Sequence, residues 1–80
     1  MNERDRLFLK HILDAISDIE SFTADGRVGF MADRKTQSAV VRQLEIMGEA
    51  VKNLSATLTA SESAVPWRQI AGTRDRLIHA

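Results

Sequence analysis

The segment RDRLIHA, residues 74–80, brings together an aspartate, a histidine and two arginines, which could carry out acid–base chemistry beside a phosphate group. If the segment is helical, Asp75 and His79 lie four residues apart on one face, where the carboxylate can fix the tautomer and orientation of the imidazole. Arg76, three residues before His79, can bind phosphate from the same side. Together, the aspartate, the histidine and the arginines are typical of an acid–base site that binds phosphate.

Arg74 does not fit the same face of a helix. It lies five residues before His79, which is about 140° around an ideal helix. The two side chains can meet only if the arginine bends over the helix start, or if they come from two different chains. Spacing alone therefore leaves open both a catalytic site and an ordinary solvated helix end, and it favours the second.

Composition excludes several classes of function. The chain has no cysteine, so it has neither a disulfide nor a thiolate nucleophile or metal ligand. Its two histidines have no arranged carboxylates around them, which argues against a metal site. The charged N-terminus and the absence of a long apolar run predict a cytoplasmic protein with no signal peptide and no membrane span. Eighty residues predict one domain, residues 1–80, near the lower size limit for a stable core.

Helical periodicity dominates the chain. Asn2 can cap a first helix, whose apolar residues recur at spacings of three and four: Phe8, Ile12, Ala15, Ile19 and Phe22. Leu9, Leu13 and Ile16 widen this face to about half of the circumference, so we expect the helix to contact more than one neighbour. Asp25, Gly26 and Gly29 predict a loop over residues 23–32.

A second helix is predicted from the capping residue Asp33 to about Leu58, with an apolar stripe at Val40, Leu44, Met47, Val51, Leu54 and Leu58. The opposite side carries Arg42, Glu45, Glu49 and Lys52, where a solvated salt-bridge ladder is favoured over a paired-carboxylate site. Residues 61–63 resemble a linker. Pro66 then opens a short helix, Gly72 interrupts it and Thr73 caps a last one. The predicted fold is an all-α, up-and-down antiparallel helical bundle.

Two further residues invite a functional interpretation but favour a structural one. His11 lies at the edge of the apolar stripe of the first helix, which is typical of a structural histidine. Trp67, the only tryptophan, is more often a core or interface anchor than a platform for base stacking.

Three stretches together resemble the HepT-like family of the HEPN superfamily: AVVRQLEIMGEAVKNLS at residues 39–55, PWRQIAG at residues 66–72 and RDRLIHA at residues 74–80. The order of these elements is similar as well, and the resemblance covers nearly the whole chain. It implies a HEPN-like helical bundle that forms a homodimer. It also implies a metal-independent ribonuclease without a cofactor, which acts as the toxin of a toxin–antitoxin pair. The implied antitoxin is a minimal, MntA-like nucleotidyltransferase.

Carried onto this sequence, the resemblance implies catalytic roles for Arg74, Asp75 and His79, and Arg76 is expected to bind the RNA phosphate. The family motif continues as His-x-Tyr, and the tyrosine is where the antitoxin attaches AMP. Here Ala80 occupies the x position and the sequence stops, so we expect a domain that is incomplete at its C-terminus.

The chemistry of RNA cleavage agrees with this expectation. Attack by the 2′-hydroxyl needs a base, an acid for the leaving 5′-oxygen and positive charge at the phosphorane oxygens. Each chain offers only one suitable histidine, whereas a two-fold dimer brings two His79 and two Arg74 to one cleft. Two other functions remain open. One is a catalytically silent module that binds a nucleotidyltransferase antitoxin or another partner, and the other is a generic dimerisation bundle.

Overall fold

The computed structural model describes the backbone of residues 1–79 and the side chains of residues 1–73. Within that part of the chain it contains five helices and no strand: α1 (Glu3–Phe22), α2 (Gly26–Ala32), α3 (Arg34–Lys52), α4 (Ala56–Ser61) and α5 (Trp67–His79). The prediction of an all-α protein is confirmed. In the described residues no helix is long and apolar enough to cross a membrane.

Helix α3 is the centre of the bundle, because α1, α2 and α5 all pack against it. The start of α1 lies beside the end of α3, where Nη2 of Arg4 donates a hydrogen bond of 2.7 Å to Oδ1 of Asn53. Trp67, the first residue of α5, packs against the same end of α3. Both α1 and α5 therefore run antiparallel to α3, which confirms the predicted up-and-down bundle.

The core lies between α1, the end of α3 and the start of α5. Its buried residues are Ile12, Ala50, Val51 and Leu54, and half-buried side chains including Phe8, Met47, Trp67 and Ile70 pack around them. The predicted stripes of α1 and α3 supply most of this cluster, and Trp67 is a core anchor as predicted.

The widened apolar face of α1 is only partly used. Leu9 packs against the core cluster, whereas Leu13 is 66% exposed and Ile16 is also exposed. The core cluster joins this face to side chains of α3, α4 and α5, but in the described part of the chain Leu13 and Ile16 stay exposed. An apolar surface is therefore left on α1.

The N-caps predicted at Asn2 and Asp33 are confirmed. Oδ1 of Asn2 accepts a hydrogen bond of 2.7 Å from the backbone N–H of Asp5. Asp33 accepts one of 3.0 Å from the backbone N–H of Lys35 and one of 2.8 Å from the hydroxyl of Thr36. The bonds from the N–H groups of Asp5 and Lys35 satisfy donors that have no partner within the first turn of a helix.

The predicted loop over residues 23–32 is wrong, because residues 26–32 form α2. The glycine signal marks only the turn that enters the helix, where Gly26 has a φ of +78°. The end of α2 is held from outside its own segment, because Nε2 of Gln37 donates to the carbonyl oxygens of Phe30 and Met31 at 3.0 and 3.1 Å. A helix of seven residues that depends on such tertiary contacts leaves little local signal.

The second helix is also shorter than predicted. It ends at Lys52, and the residues up to Leu58 that continue its apolar stripe include the separate helix α4. Asn53 ends α3, since its Nδ2 donates a hydrogen bond of 2.9 Å to the carbonyl oxygen of Glu49. Ser55 has an extended ψ of 150° and begins α4 as its N-cap. The stripe continues across this break because Leu54 and Leu58 still contact the same core.

The predicted interruption at Gly72 is wrong as well, since α5 continues from Trp67 to His79. Thr73 does not cap a new helix. Its hydroxyl donates a hydrogen bond of 3.0 Å to the carbonyl oxygen of Gln69, four residues earlier, which a threonine can do inside a continuous helix.

Candidate functional site

Helix α5 carries all four predicted site residues, Arg74, Asp75, Arg76 and His79, on one uninterrupted stretch of helix. The side chains of these residues lie outside the described part of the chain, so their roles stay predictions. The helix itself has a consequence for the site. The helix has no break between Arg74 and His79, so the angular offset of about 140° expected from their spacing applies. No change of helix direction within one chain reduces this offset.

The first half of α5 is held by apolar packing. Trp67, Ile70 and Ala71 contact the core cluster, whereas Arg68 is exposed to solvent. In addition, Nε1 of Trp67 donates a hydrogen bond of 3.0 Å to the carbonyl oxygen of Glu62 in the preceding turn. The helix that carries the motif is therefore fixed at its start by both packing and a hydrogen bond.

A second group of ionisable residues lines a groove of about 220 Å³ between α1 and α3, which includes His11, Arg42 and Glu45. His11 is exposed and makes an edge-to-face contact with Phe8, with ring centroids 5.4 Å apart. Arg42 and Glu45 form an ion pair at 3.8 Å, which agrees with the predicted salt-bridge ladder at this point. Among the side chains that the structure describes, no three histidine or acidic residues are placed to hold a metal ion.

A larger groove, about 590 Å³, lies at the junction of α4 and α5. It is lined by small residues such as Ser63 and Ala64, together with Trp67 and Arg68. Among the described residues that line it, Arg68 is the only charged one, so this part of the chain places no acid–base pair in the groove. We therefore do not assign the candidate site to this groove.

A buried acidic residue that the sequence pattern does not predict is Asp5, which is 3% exposed. Its carboxylate accepts two hydrogen bonds from Ser55, one from the hydroxyl at 2.6 Å and one from the backbone N–H at 2.7 Å. These two bonds hold the pKa of Asp5 below its usual value, although burial acts in the opposite direction. In the sequence, Asp5 is simply one of two acids in the first turn of a helix, which gives no signal for a contact 50 residues away.

Comparison with known proteins gives consistent results. Residues 12–80 match the family described as ribonuclease HepT-like. A candidate RNase of Methanocaldococcus jannaschii is 48% identical over 75 residues, which cover 92% of this chain and 62% of that protein. A protein of Thermococcus cleftensis named as a candidate ribonuclease HepT is 46% identical over 74 residues, which cover 91% of this chain and 67% of that protein.

A candidate RNase of Caldanaerobacter subterraneus is 45% identical over 75 residues, with 92% of this chain and 67% of that protein covered. The chain thus spans about two thirds of the length of these relatives. No solved structure matches it. The match over residues 12–80 includes the helix with the arginine–histidine motif, and the chain belongs to the ribonuclease HepT-like family.

Proposed function

We propose that this chain acts as a metal-independent endoribonuclease, the toxin of a toxin–antitoxin pair. The observation that carries the proposal is the uninterrupted helix α5, which holds Arg74, Asp75, Arg76 and His79 in a member of the ribonuclease HepT-like family. The names of the relatives support the same class of activity, because they describe candidate ribonucleases.

Each proposed role follows from the chemistry of the side chain. His79 removes the proton from the 2′-hydroxyl or protonates the leaving 5′-oxygen. Arg74 stabilises the negative charge that develops on the phosphorane oxygens, and Arg76 binds the RNA phosphate. Asp75 orients the imidazole of His79.

The site is proposed to be complete only in a homodimer. One chain supplies one histidine at the motif, whereas the reaction needs both a base and an acid, and Arg74 and His79 of one helix lie on different faces. A second copy supplies the missing group at a shared cleft. The exposed apolar residues of α1 and α2 support self-association, because Leu13 is 66% and Val28 is 84% exposed, and Met31 is exposed as well.

The proposed partners are an RNA substrate and an antitoxin of the minimal, MntA-like nucleotidyltransferase class, both in the cytoplasm. The family resemblance supports this antitoxin. Co-expression of the chain with a nucleotidyltransferase encoded beside it tests the pairing, since the antitoxin should restore growth that the chain alone inhibits.

The ribonuclease activity is tested by RNA cleavage with purified variants in the presence of EDTA. His79→Ala should abolish cleavage, and Arg74→Ala should lower the rate by about 10²–10³. Arg74→Lys should restore it only in part, because a point charge replaces a bidentate group, and Asp75→Asn should have a milder effect. The matched control is Arg68→Ala, which removes an exposed arginine from the same helix and should leave the rate near that of the wild type.

The products should carry 2′,3′-cyclic phosphate ends, because histidines and not a metal ion transfer the protons. Full cleavage by the His79→Ala variant, or an absolute need for magnesium, would contradict the proposed mechanism. The catalytically silent module that binds an antitoxin would then be the better description. Sedimentation at micromolar concentration tests the dimer, and a folded monomer throughout that range would exclude the composite site.

A further inference from the structure

Asp5 and Ser55 connect the start of α1 to the start of α4. Asp5 is 3% exposed, and the two hydrogen bonds that its carboxylate accepts from Ser55 are short, at 2.6 and 2.7 Å. The proposed ribonuclease chemistry does not use this buried acidic group. Its partner is not a basic residue but a serine that begins a helix, which points to a structural task at that helix.

Ser55 performs two functions at once. Its hydroxyl oxygen accepts a hydrogen bond of 3.2 Å from the backbone N–H of Leu58, which makes Ser55 the N-cap of α4. The hydroxyl has one proton, and this proton is donated to Asp5. The carboxylate therefore fixes the orientation in which the hydroxyl can accept from Leu58.

The other end of α4 is connected to α5. The carbonyl oxygen of Glu62, the C-cap of α4, accepts hydrogen bonds from the backbone N–H of Val65 at 3.1 Å and from Nε1 of Trp67 at 3.0 Å. Trp67 is the first residue of α5. The six residues of α4 thus form a short link, with Asp5 at one end and the start of α5 at the other.

We propose that Asp5 is a positioning residue for α5, which acts through Ser55, α4 and Trp67 to set the direction in which α5 carries the Arg74–His79 motif. This inference rests on the proposed ribonuclease function. It assigns no chemical step to Asp5, which does not touch the reacting groups.

The length of α5 makes the direction of its first turn important. From Trp67 to His79 the helix rises about 18 Å, so a tilt of about 5° at its start moves its end by about 1.6 Å. A misplacement of about 1 Å at a catalytic group can lower a rate by about 10². A small loosening at the start of α5 is therefore enough to impair the motif.

Amide hydrogen exchange tests the positioning directly. In Asp5→Asn, an NH₂ group, which accepts no hydrogen bond, replaces one carboxylate oxygen. The side chain then no longer offers a separate oxygen to the hydroxyl and to the backbone N–H of Ser55, so the hydroxyl loses its fixed orientation. We expect exchange of the amides of residues 70–73 to accelerate by about ten- to a hundredfold, and exchange at the core residues Ile12 and Val51 by less than about threefold. Ser55→Ala should act in the same way, whereas Ser55→Thr should preserve slow exchange, because it keeps the hydroxyl.

The matched control is Asp14→Asn, which makes the same change of charge on the same helix. Asp14 is exposed and pairs with Lys10 at 2.8 Å, away from α4. This variant should leave exchange in α5 at the wild-type rate. Equal acceleration of all amides in Asp5→Asn would show general destabilisation and overturn the inference, as would slow exchange in α5 of Ser55→Ala.

RNA cleavage then tests the connection to function. Asp5→Asn should lower kcat by at least about tenfold and change KM by less than about twofold, and Ser55→Thr should keep wild-type kcat. Selective loosening of α5 with unchanged kcat would overturn the positioning role. If the wild-type chain does not cleave RNA at all, the proposed ribonuclease function is wrong, and Asp5 then has no role in RNA cleavage. The exchange experiment would still decide whether Asp5 positions α5.

Discussion

The orientation of α1 can be tested with two adjacent residues, Ile12 and Leu13, by replacing each with alanine. Ile12 is 8% exposed and lies in the core cluster with Val51 and Leu54. Replacement removes three buried carbon atoms, which contribute about 2.4 kcal/mol at about 0.8 kcal/mol each. With the cavity that remains, the loss of folding free energy should be about 2–5 kcal/mol.

The same replacement at Leu13 also removes three carbon atoms, but this side chain is 66% exposed. Only about one third of the transfer free energy is at stake, so the loss within a single chain should be less than about 1 kcal/mol. The two variants change adjacent residues of the same helix and leave the charge unchanged, so the burial of the replaced side chain is the main difference between them.

Urea denaturation followed by circular dichroism measures both losses, provided that the slope m does not change. A chain of this size has a total stability of roughly 4–12 kcal/mol, so the loss in Ile12→Ala is easily resolved. The measurement should be repeated over a range of protein concentrations. If Leu13 lies in the proposed dimer interface, Leu13→Ala should lower stability only where the wild type is dimeric. Equal losses for both variants at the lowest concentration would show that the assigned orientation of α1 is wrong.

Three further predictions concern the polar contacts and one turn. The hydrogen bonds from Ser55 lower the pKa of Asp5, so the stability that they provide should be complete above the ordinary aspartate pKa of 3.8 and should be lost as the pH falls below it. Acid denaturation of Asp5→Asn should lack this part of the loss of stability. An acid transition equal to that of the wild type would contradict the prediction. Gly26→Ala should cost about 1–2 kcal/mol in urea denaturation, because φ at this position is +78°, and a neutral effect would mean that α2 begins differently. Trp67→Phe keeps the aromatic packing but removes the donor to Glu62, so it should cost about 0.5–1.5 kcal/mol, and a stability equal to the wild type would show that this bond is not formed.

Features that depend on neighbouring residues could be predicted from the sequence. The caps Asn2 and Asp33 precede helices whose apolar residues repeat at spacings of three and four, and both caps form as expected. The stripes predicted for α1 and α3 supply Ile12, Val51 and Leu54 to the core. In each case the residues that allow the prediction lie within a few positions of the cap or helix face that they predict.

Features that depend on distant residues could not be predicted. The end of α3 and the start of α4 were missed because Leu54 and Leu58 continue the stripe across the break. The partner that holds Ser55 is Asp5, 50 residues earlier in the chain. Gln37, which satisfies the end of α2, belongs to another helix. Periodicity and local capping contain no information on such contacts.

The candidate site was predictable in its residue types but not in its geometry. The order Arg74, Asp75, His79 and the resemblance to the HepT-like family indicate ribonuclease chemistry, and the family assignment is confirmed by the match over residues 12–80. The predicted break at Gly72 was wrong because a glycine and a following threonine are typical of a helix end, yet the hydroxyl of Thr73 is satisfied inside the helix. The roles of the motif residues stay predictions.

The short helix α4 gives the buried carboxylate of Asp5 a structural use. None of its six residues is fully buried, and an isolated helix of this length is not stable in water. Its contact with the core cluster is made by the half-buried Leu58, and the hydrogen bonds at its two ends act together with this contact to set its position. Burial of a carboxylate is unfavourable unless hydrogen bonds compensate it, and the two bonds from Ser55 provide this compensation. Because those bonds act on the placement of α4 more than on the apolar core, replacement of Asp5 should affect hydrogen exchange in α5 more strongly than the exchange of the core amides.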